Sequence, residues 1–122
     1  MVKIITAGHR YPRYVLSPHR DVRAVREVMV KIGYYPEDEQ VVEEDGKYYF
    51  VMTFAVGSCD LSELELEFGR QNLAKPSLEF QQYIALKLRE YTLLARANPT
   101  SRSIAQKVNL FAEAEARINE SK

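Results

Sequence analysis

The stretch VVEEDGKYYFVMTF, Val41 to Phe54, restricts the fold more than any other part of the chain. Asp45-Gly46 is a two-residue type I′ turn signal, because both central residues of that turn need positive φ. The flanking residues are apolar, β-branched or aromatic, so the stretch reads as a β-hairpin. Its second strand, Tyr48 to Val56, hardly alternates between apolar and polar residues. A strand of that kind is expected to be buried on both faces of a sheet. The hairpin therefore asks for a sheet larger than itself.

A chain of 122 residues with 46% hydrophobic and 28% charged residues reads as one globular unit with a modest core. No apolar run reaches membrane-spanning length, and Met1 to Thr6 is too brief a run for a signal peptide. Cys59 is the single cysteine, so an internal disulfide and a multi-cysteine zinc site are excluded. The cytoplasm is the expected compartment. Net charge is zero but unevenly spread. The first quarter of the chain is basic, the acidic residues concentrate between Glu37 and Glu67, and the remainder is mildly basic. A basic block of this kind is either a phosphate-binding surface or a solvated helix face with its adjoining loop.

Val2 to Ala7 and Tyr14 to Leu16 read as short strands. Ser17 is a candidate N-cap with Pro18 as the first helical residue, where a missing N–H costs nothing. Val22, Val25, Met29 and Ile32 then recur at helical spacing, with Val28 flanking them. Arg20, Arg23, Glu27 and Lys31 lie on the other side, and Gly33 ends the helix. The hairpin follows, entered through Tyr34-Tyr35-Pro36 and an acidic stretch.

Beyond Gly57 the pattern turns helical. LSELELEF, Leu61 to Phe68, fits a strand or a helix, and the helix is preferred. Ser77 is expected to open a long helix to about Ala97, striped by Phe80, Ile84, Leu88, Tyr91 and Leu94. Asn98-Pro99-Thr100-Ser101 breaks it, and Ser101 caps a last helix carrying Ile104, Val108, Phe111 and Ile118. Two striped helices around a short break imply an antiparallel helical hairpin. The expected division is a sheet region over residues 1–57 and a helical extension over 58–122, with the hairpin at about 77–120.

The glycines are scattered, and no G-x-G, P-loop, nucleophile elbow or H-E-x-x-H occurs. YVLSPHRDVRAVREVMVKIGYYPEDEQVVEEDGKYYFVM, Tyr14 to Met52, resembles the C-terminal half of bacterial tRNA (adenine-22-N1)-methyltransferases. Val25-Arg26, Gly33-Tyr34, Glu39, Glu44-Asp45, Lys47 and Tyr49 fall in the family's order, and ELEFGRQNL, Glu65 to Leu73, is similar to its Phe-Gly-Pro-x-Leu segment. The similarity covers roughly residues 11–97, and the last helix agrees with it in architecture.

The resemblance implies an α/β fold: a partial Rossmann-like methyltransferase sheet of strands, one helix and an antiparallel β-hairpin, followed by a C-terminal α-helical hairpin. In that fold the hairpin completes the edge of a larger sheet, with its returning strand inserted antiparallel. The family is S-adenosylmethionine-dependent, and its Gly-rich cofactor loop and acidic ribose ligand have no counterpart here. Met1 to Gly8 resembles only the strand before that family's glycine turn, and too few residues separate Ala7 from Tyr14 for a parallel crossover. The resemblance therefore implies a portion that binds no cofactor alone and carries no catalytic residue, S-adenosylmethionine belonging to a full-length protein.

The same resemblance places a target-base turn at Leu16, Ser17, Pro18 and His19, where the family has Leu-Gln-Pro-Asn. Arg10, Arg13, Arg20 and Arg23 surround that turn and are the candidate tRNA contacts, as phosphate ligands that position RNA without reading its sequence. Arg70 stands where the family has proline. His9 and His19 do not make a metal site without a third ligand, and Cys59 has no evident activating partner. Tyr48 and Tyr49 read as core, while Tyr34 and Tyr35 fit core or stacking roles equally. A sheet cut short exposes an edge, so self-association or a covering partner chain is expected. The alternatives are a non-enzymatic dimerising interaction module for protein or RNA and, more weakly, a small enzyme centred on Ser17 to His19.

Overall fold

The computed structural model describes residues 2–5, 13–18 and 20–120. Strands β1 (Val2–Ile5), β2 (Arg13–Leu16), β3 (Tyr34–Glu44) and β4 (Lys47–Val56) form one sheet in the order β1-β2-β4-β3. Every pairing is antiparallel, including Val2 opposite Leu16, which agrees with a link too short for a parallel crossover. β4 is inserted between β2 and β3. Asp45 and Gly46 at the hairpin turn have φ of 52° and 79°, both positive as the Asp-Gly signal requires.

β3 is longer than the hairpin signal suggests, because the acidic stretch from Glu37 is itself strand, with a bulge between Pro36 and Asp38. Helix α1 (Val22–Lys31) begins later than the Ser17-Pro18 signal predicts. The chain is still paired to Met52 at Leu16, and it needs the following residues to climb from the sheet to the helix layer. Asp21 takes a left-handed conformation, φ 53°, and its carbonyl accepts the first helical bond, from Val25 N–H. The apolar stripe ends at Met29: Ile32 is 60% exposed, since the helix stops beside it.

α2 (Glu63–Phe68) confirms the helical reading of LSELELEF and carries a capping box, Ser62 with Glu65. α3 (Arg70–Ala74) is a further short helix. α4 (Leu78–Ala97), capped by Ser77, and α5 (Arg102–Glu120) form the expected hairpin. Leu94 falls outside the buried stripe, near the turn that joins the two helices.

The core lies between the helices and one sheet face. Phe50 and Val41 pack with Leu64, Phe68, Phe80, Ile84 and Phe111, and the Phe68 and Phe111 rings meet edge to face at 4.9 Å. Met52, Phe54 and Leu16 pack under Met29 of α1. The expectation that β4 is buried on both faces holds on this face alone. Tyr49, Val51 and Thr53 on the other face, with Val15 of β2, are half-buried and belong to neither core cluster.

One buried ion pair joins the layers. Arg26 on α1 and Glu39 on β3 are both inaccessible in their side chains, with Arg26 Nε donating to Glu39 Oε2 at 2.9 Å. Arg26 Nη1 donates to the carbonyls of Leu66 and Glu67, at 2.8 and 3.0 Å, in the last turn of α2. Glu39 Oε1 accepts the N–H of Gln71, in the first turn of α3, at 3.0 Å. The pair thus satisfies orphan backbone groups at the end of one helix and the start of the next. Gly69 between them has φ 98°, and a Cβ there would stand 2.5 Å from Glu39 Oε2. Glycine is required on both counts. Burial pushes the Glu39 carboxyl up and the Arg26 guanidinium down, against their mutual attraction.

Replacing one partner of such a pair strands the other charge, at a cost of about 3–5 kcal/mol. Glu39→Gln is expected to lower unfolding stability by about that amount, read by urea denaturation. Arg26→Met/Glu39→Leu should lose clearly less than its two single variants combined. Additive losses would show that the two residues do not act as a pair.

Candidate nucleic-acid interface

Antiparallel pairing brings the end of β2, the start of β4 and the Asp45-Gly46 turn to the same end of the sheet. α1 starts there as well. A cleft of about 720 Å³ opens at this end, within the usual range of about 300–1,000 Å³ for ligand sites. One wall is Pro18, Arg20 and the first turns of α1. The opposite wall is Lys47 and Tyr48 of β4, and Tyr83 and Lys87 of α4 close the side, with Lys107 of α5 beyond.

The turn taken for the target-base site lies at the cleft's rim. Leu16 is buried at the end of β2 and paired with Met52, so it anchors the turn. Ser17 and Pro18 are half-buried, and Pro18 lines the cleft. His19 and Arg10 lie outside the described residues.

The remaining arginines differ in their partners. Arg13 opens β2 at the end away from the turn and grips Glu37 through two bonds of 2.5 and 2.9 Å, which holds its guanidinium above the ordinary range. Arg23 bonds Glu63 at 2.8 Å and Glu27 at 2.9 Å, with Glu67 at 3.9 Å, so it joins α1 to α2. Its pKa is raised by the hydrogen bonds to Glu63 and Glu27. Arg20 is exposed and has no ion pair among the described residues. The structure thus brings Arg20 and Arg23 to one cleft with Pro18 and sets Arg13 apart.

Three residues that sequence reasoning did not single out for the site also line it: Lys47, Lys87 and Lys107. Lys47 follows the turn signal directly, but the other two come from distant helices that only the tertiary fold brings near. Lys87 pairs with Glu90 and Lys107 with Glu67, each at 3.3 Å. Lys47, like Arg20, has no ion pair among the described residues. Asp21 makes no side-chain bond to the helix it precedes, and the first turn of α1 contains no acid. The amino end of α1 therefore lines the cleft with its first backbone N–H groups not bonded by the Asp21 side chain.

Tyr48 and Tyr83 meet with ring centroids 5.8 Å apart at the cleft, and Tyr83 also packs on Phe50 and Phe111. Tyr14 and Tyr34 pack edge to face at 5.2 Å over the second core cluster, which assigns Tyr34 a packing role. Arg70, where the resembled family has proline, binds Glu65 at 3.0 Å and the Asp60 carbonyl, tying the preceding loop to α2. Burial pushes the Cys59 thiol up, away from nucleophilic use. No cluster of metal-ligating residues occurs among the described residues.

The family model for tRNA (adenine(22)-N(1))-methyltransferase, TrmK, matches residues 2–120. The chain belongs to this family. The TrmK-type fold is also found in solved structures. Streptococcus pneumoniae Sp1610 superposes with a TM-score of 0.78 at 20% identity, over 84% of this chain and 49% of that one. M. capricolum TrmK, solved with S-adenosyl-homocysteine, gives 0.72 at 22% identity, over 88% and 49%. The B. subtilis m1A22 tRNA methyltransferase TrmK gives 0.67 at 20% identity, over 88% and 50%. The chain spans about half the length of these proteins. No curated protein sequence matches it. No helix among the described residues is long and apolar enough to cross a membrane.

Asp21 holds the left-handed start of α1 at the cleft's rim, where a β-branched residue is disfavoured by about 1–2 kcal/mol. Asp21→Val is expected to lose that much stability in thermal melts, whereas Asp21→Gly should be nearly neutral. Equal effects of the two substitutions would contradict the left-handed start.

Proposed function

We propose that this chain is the substrate-side portion of an S-adenosylmethionine-dependent tRNA adenine-N1 methyltransferase, supplying a target-base turn and a tRNA-binding surface. The observation that carries this reading is the position of the Leu16-Ser17-Pro18 turn, with His19 next in sequence. It lies at the carboxyl end of β2 beside the amino end of α1, the place where open α/β sheets bind their ligands. Membership of the TrmK family supports tRNA as the substrate. Arg20 and Arg23 at the cleft act as phosphate contacts, Arg20 foremost because no carboxylate among the described residues neutralises it, and Arg10 and Arg13 remain further candidates.

S-adenosylmethionine does not fit the groups present. Among the described residues the strand-to-helix turn after β2 offers Ser17, Pro18 and Asp21 and no run of glycines, so a phosphate-like or methionine-carboxylate cradle of backbone N–H groups is not formed. The donor belongs to a cofactor-binding half, and the chain by itself is inactive. Binding of a tRNA transcript is expected to weaken steeply with salt, in proportion to the phosphates neutralised. Arg20→Ala/Arg23→Ala should weaken it further, while labelled S-adenosylmethionine transfers no methyl group to tRNA. Salt-independent binding would sink the RNA assignment, and methyl transfer by the pure chain would sink the assignment of an inactive portion.

The second reading, a dimerising module, is favoured by the half-buried sheet face around Val15, Val51 and Thr53, against which no described helix packs in either core cluster, with Val42 at 40% exposure beside them. A chain with that face is expected to associate with itself or with a covering partner. Light scattering should return a mass above the 14.1 kDa monomer at high concentration. A clean monomer that binds tRNA would leave only the first reading.

A further inference from the structure

We propose that the cleft between α1, the β3–β4 turn and α4 seats one unpaired nucleotide of the RNA. Its phosphate lies between Arg20 and Lys47, and its base lies against Tyr48 beside the Tyr83 hydroxyl. This inference deepens the RNA-binding reading above and rests on it.

The charge arrangement argues for one phosphate and not a long backbone track. The cations on the cleft walls are already matched: Arg23 by Glu27, Lys87 by Glu90 and Lys107 by Glu67. Arg20 and Lys47 remain, two cations without carboxylate partners among the described residues, both lining the same concave surface. The uncapped amino end of α1 adds backbone N–H groups on the Arg20 side. Behind the wall, the buried Arg26 guanidinium lies 5.4 Å from the Phe50 ring centroid, and Phe50, Glu67 and Tyr83 around it all line the cleft. Its Nη2 has no hydrogen-bond partner among the described residues. Arg20, Lys47 and the amino end of α1 favour negative charge at the mouth of the cleft, whereas the charge of Arg26 is already matched by Glu39.

The remaining groups suit a nucleotide better than a bare anion. Tyr48 presents an aromatic ring held edge to face by Tyr83, a preformed surface for a base. Tyr83 is anchored by Phe50 and Phe111, yet its hydroxyl has no hydrogen-bond partner among the described residues. The Asp21 carboxylate lining the cleft can accept a hydrogen bond from a ribose hydroxyl or a base amino group. The cleft adjoins Pro18, so a nucleotide seated there neighbours the turn assigned to the target base.

The test uses the full chain labelled with nitrogen-15, titrated with AMP and separately with inorganic phosphate, alongside fluorescence anisotropy with a labelled tRNA transcript. AMP is expected to shift the amide signals of Arg20, Lys47, Tyr48 and Tyr83, and phosphate only those near Arg20 and Lys47, more weakly. Lys47→Glu, at an exposed position, should weaken AMP and tRNA binding about tenfold and lower the salt slope by about one phosphate. Tyr83→Phe, which keeps the ring contacts, should weaken AMP more than phosphate. AMP shifts elsewhere or none at all would overturn the proposal, as would phosphate reproducing the whole AMP pattern. Unchanged tRNA binding by Lys47→Glu would overturn the cleft and leave the RNA-binding reading standing. Lys47-dependent AMP binding without tRNA binding would support a nucleotide cleft and overturn that reading.

Discussion

The Arg26–Glu39 pair is the contact on which the arrangement of layers depends. A buried ion pair adds little net stability, because desolvating two charges offsets most of their attraction. Its effect here is positional. The planar guanidinium reaches Glu39 on β3 and two carbonyls at the end of α2, while the carboxylate takes a backbone N–H of α3. Four elements are fixed to one another through two side chains. Gly69 makes this possible, since any side chain there would collide with the carboxylate. Val25-Arg26, Glu39 and Phe68-Gly69 carry part of the family resemblance, and in the fold Arg26, Glu39 and Gly69 meet at this point. A series of motifs distant in sequence is one physical junction.

That junction also sets the cleft. With α1 held at Arg26, its amino end stands over the carboxyl end of β2 and faces the β3–β4 turn. Glu67, whose carbonyl accepts from Arg26, uses its carboxylate to hold Lys107 of α5. The helical hairpin is thereby drawn against the same opening. The cleft is a consequence of how the layers are locked, and Arg20 and Lys47 on its lining make no ion pair among the described residues.

The sheet shows two different faces. Phe50, Met52 and Phe54 are fully covered by helices, while Tyr49, Val51 and Thr53 are half-buried on the opposite side. The apolar composition of that second side is what a strand inside a larger sheet requires. The described helices pack on the first side, and the chain spans about half the length of the proteins it superposes on.

Local signals determined much of this protein by sequence alone. Asp45-Gly46 specified the turn, Ser77 and Ser101 marked helix starts, and the stripes through Phe80, Ile84 and Phe111 specified the helical hairpin. Each of these depends on residues within a few positions of one another, and short-range sterics and capping suffice. The start of α1 was not legible, because Ser17-Pro18 offered a local cap while pairing of Leu16 to Met52 delayed the helix until Asp21. The burial of Arg26 was legible in part: it sits four residues after Val22 and three before Met29, on the apolar stripe, although arginine suggests a solvated face. Its partner Glu39, the separation of Arg13 from Arg20, and the meeting of Lys47 with Lys87 and Lys107 were decided by tertiary structure. Charges find partners through space, across layers whose spacing no local pattern encodes, and the available carboxylates determine which cations remain free.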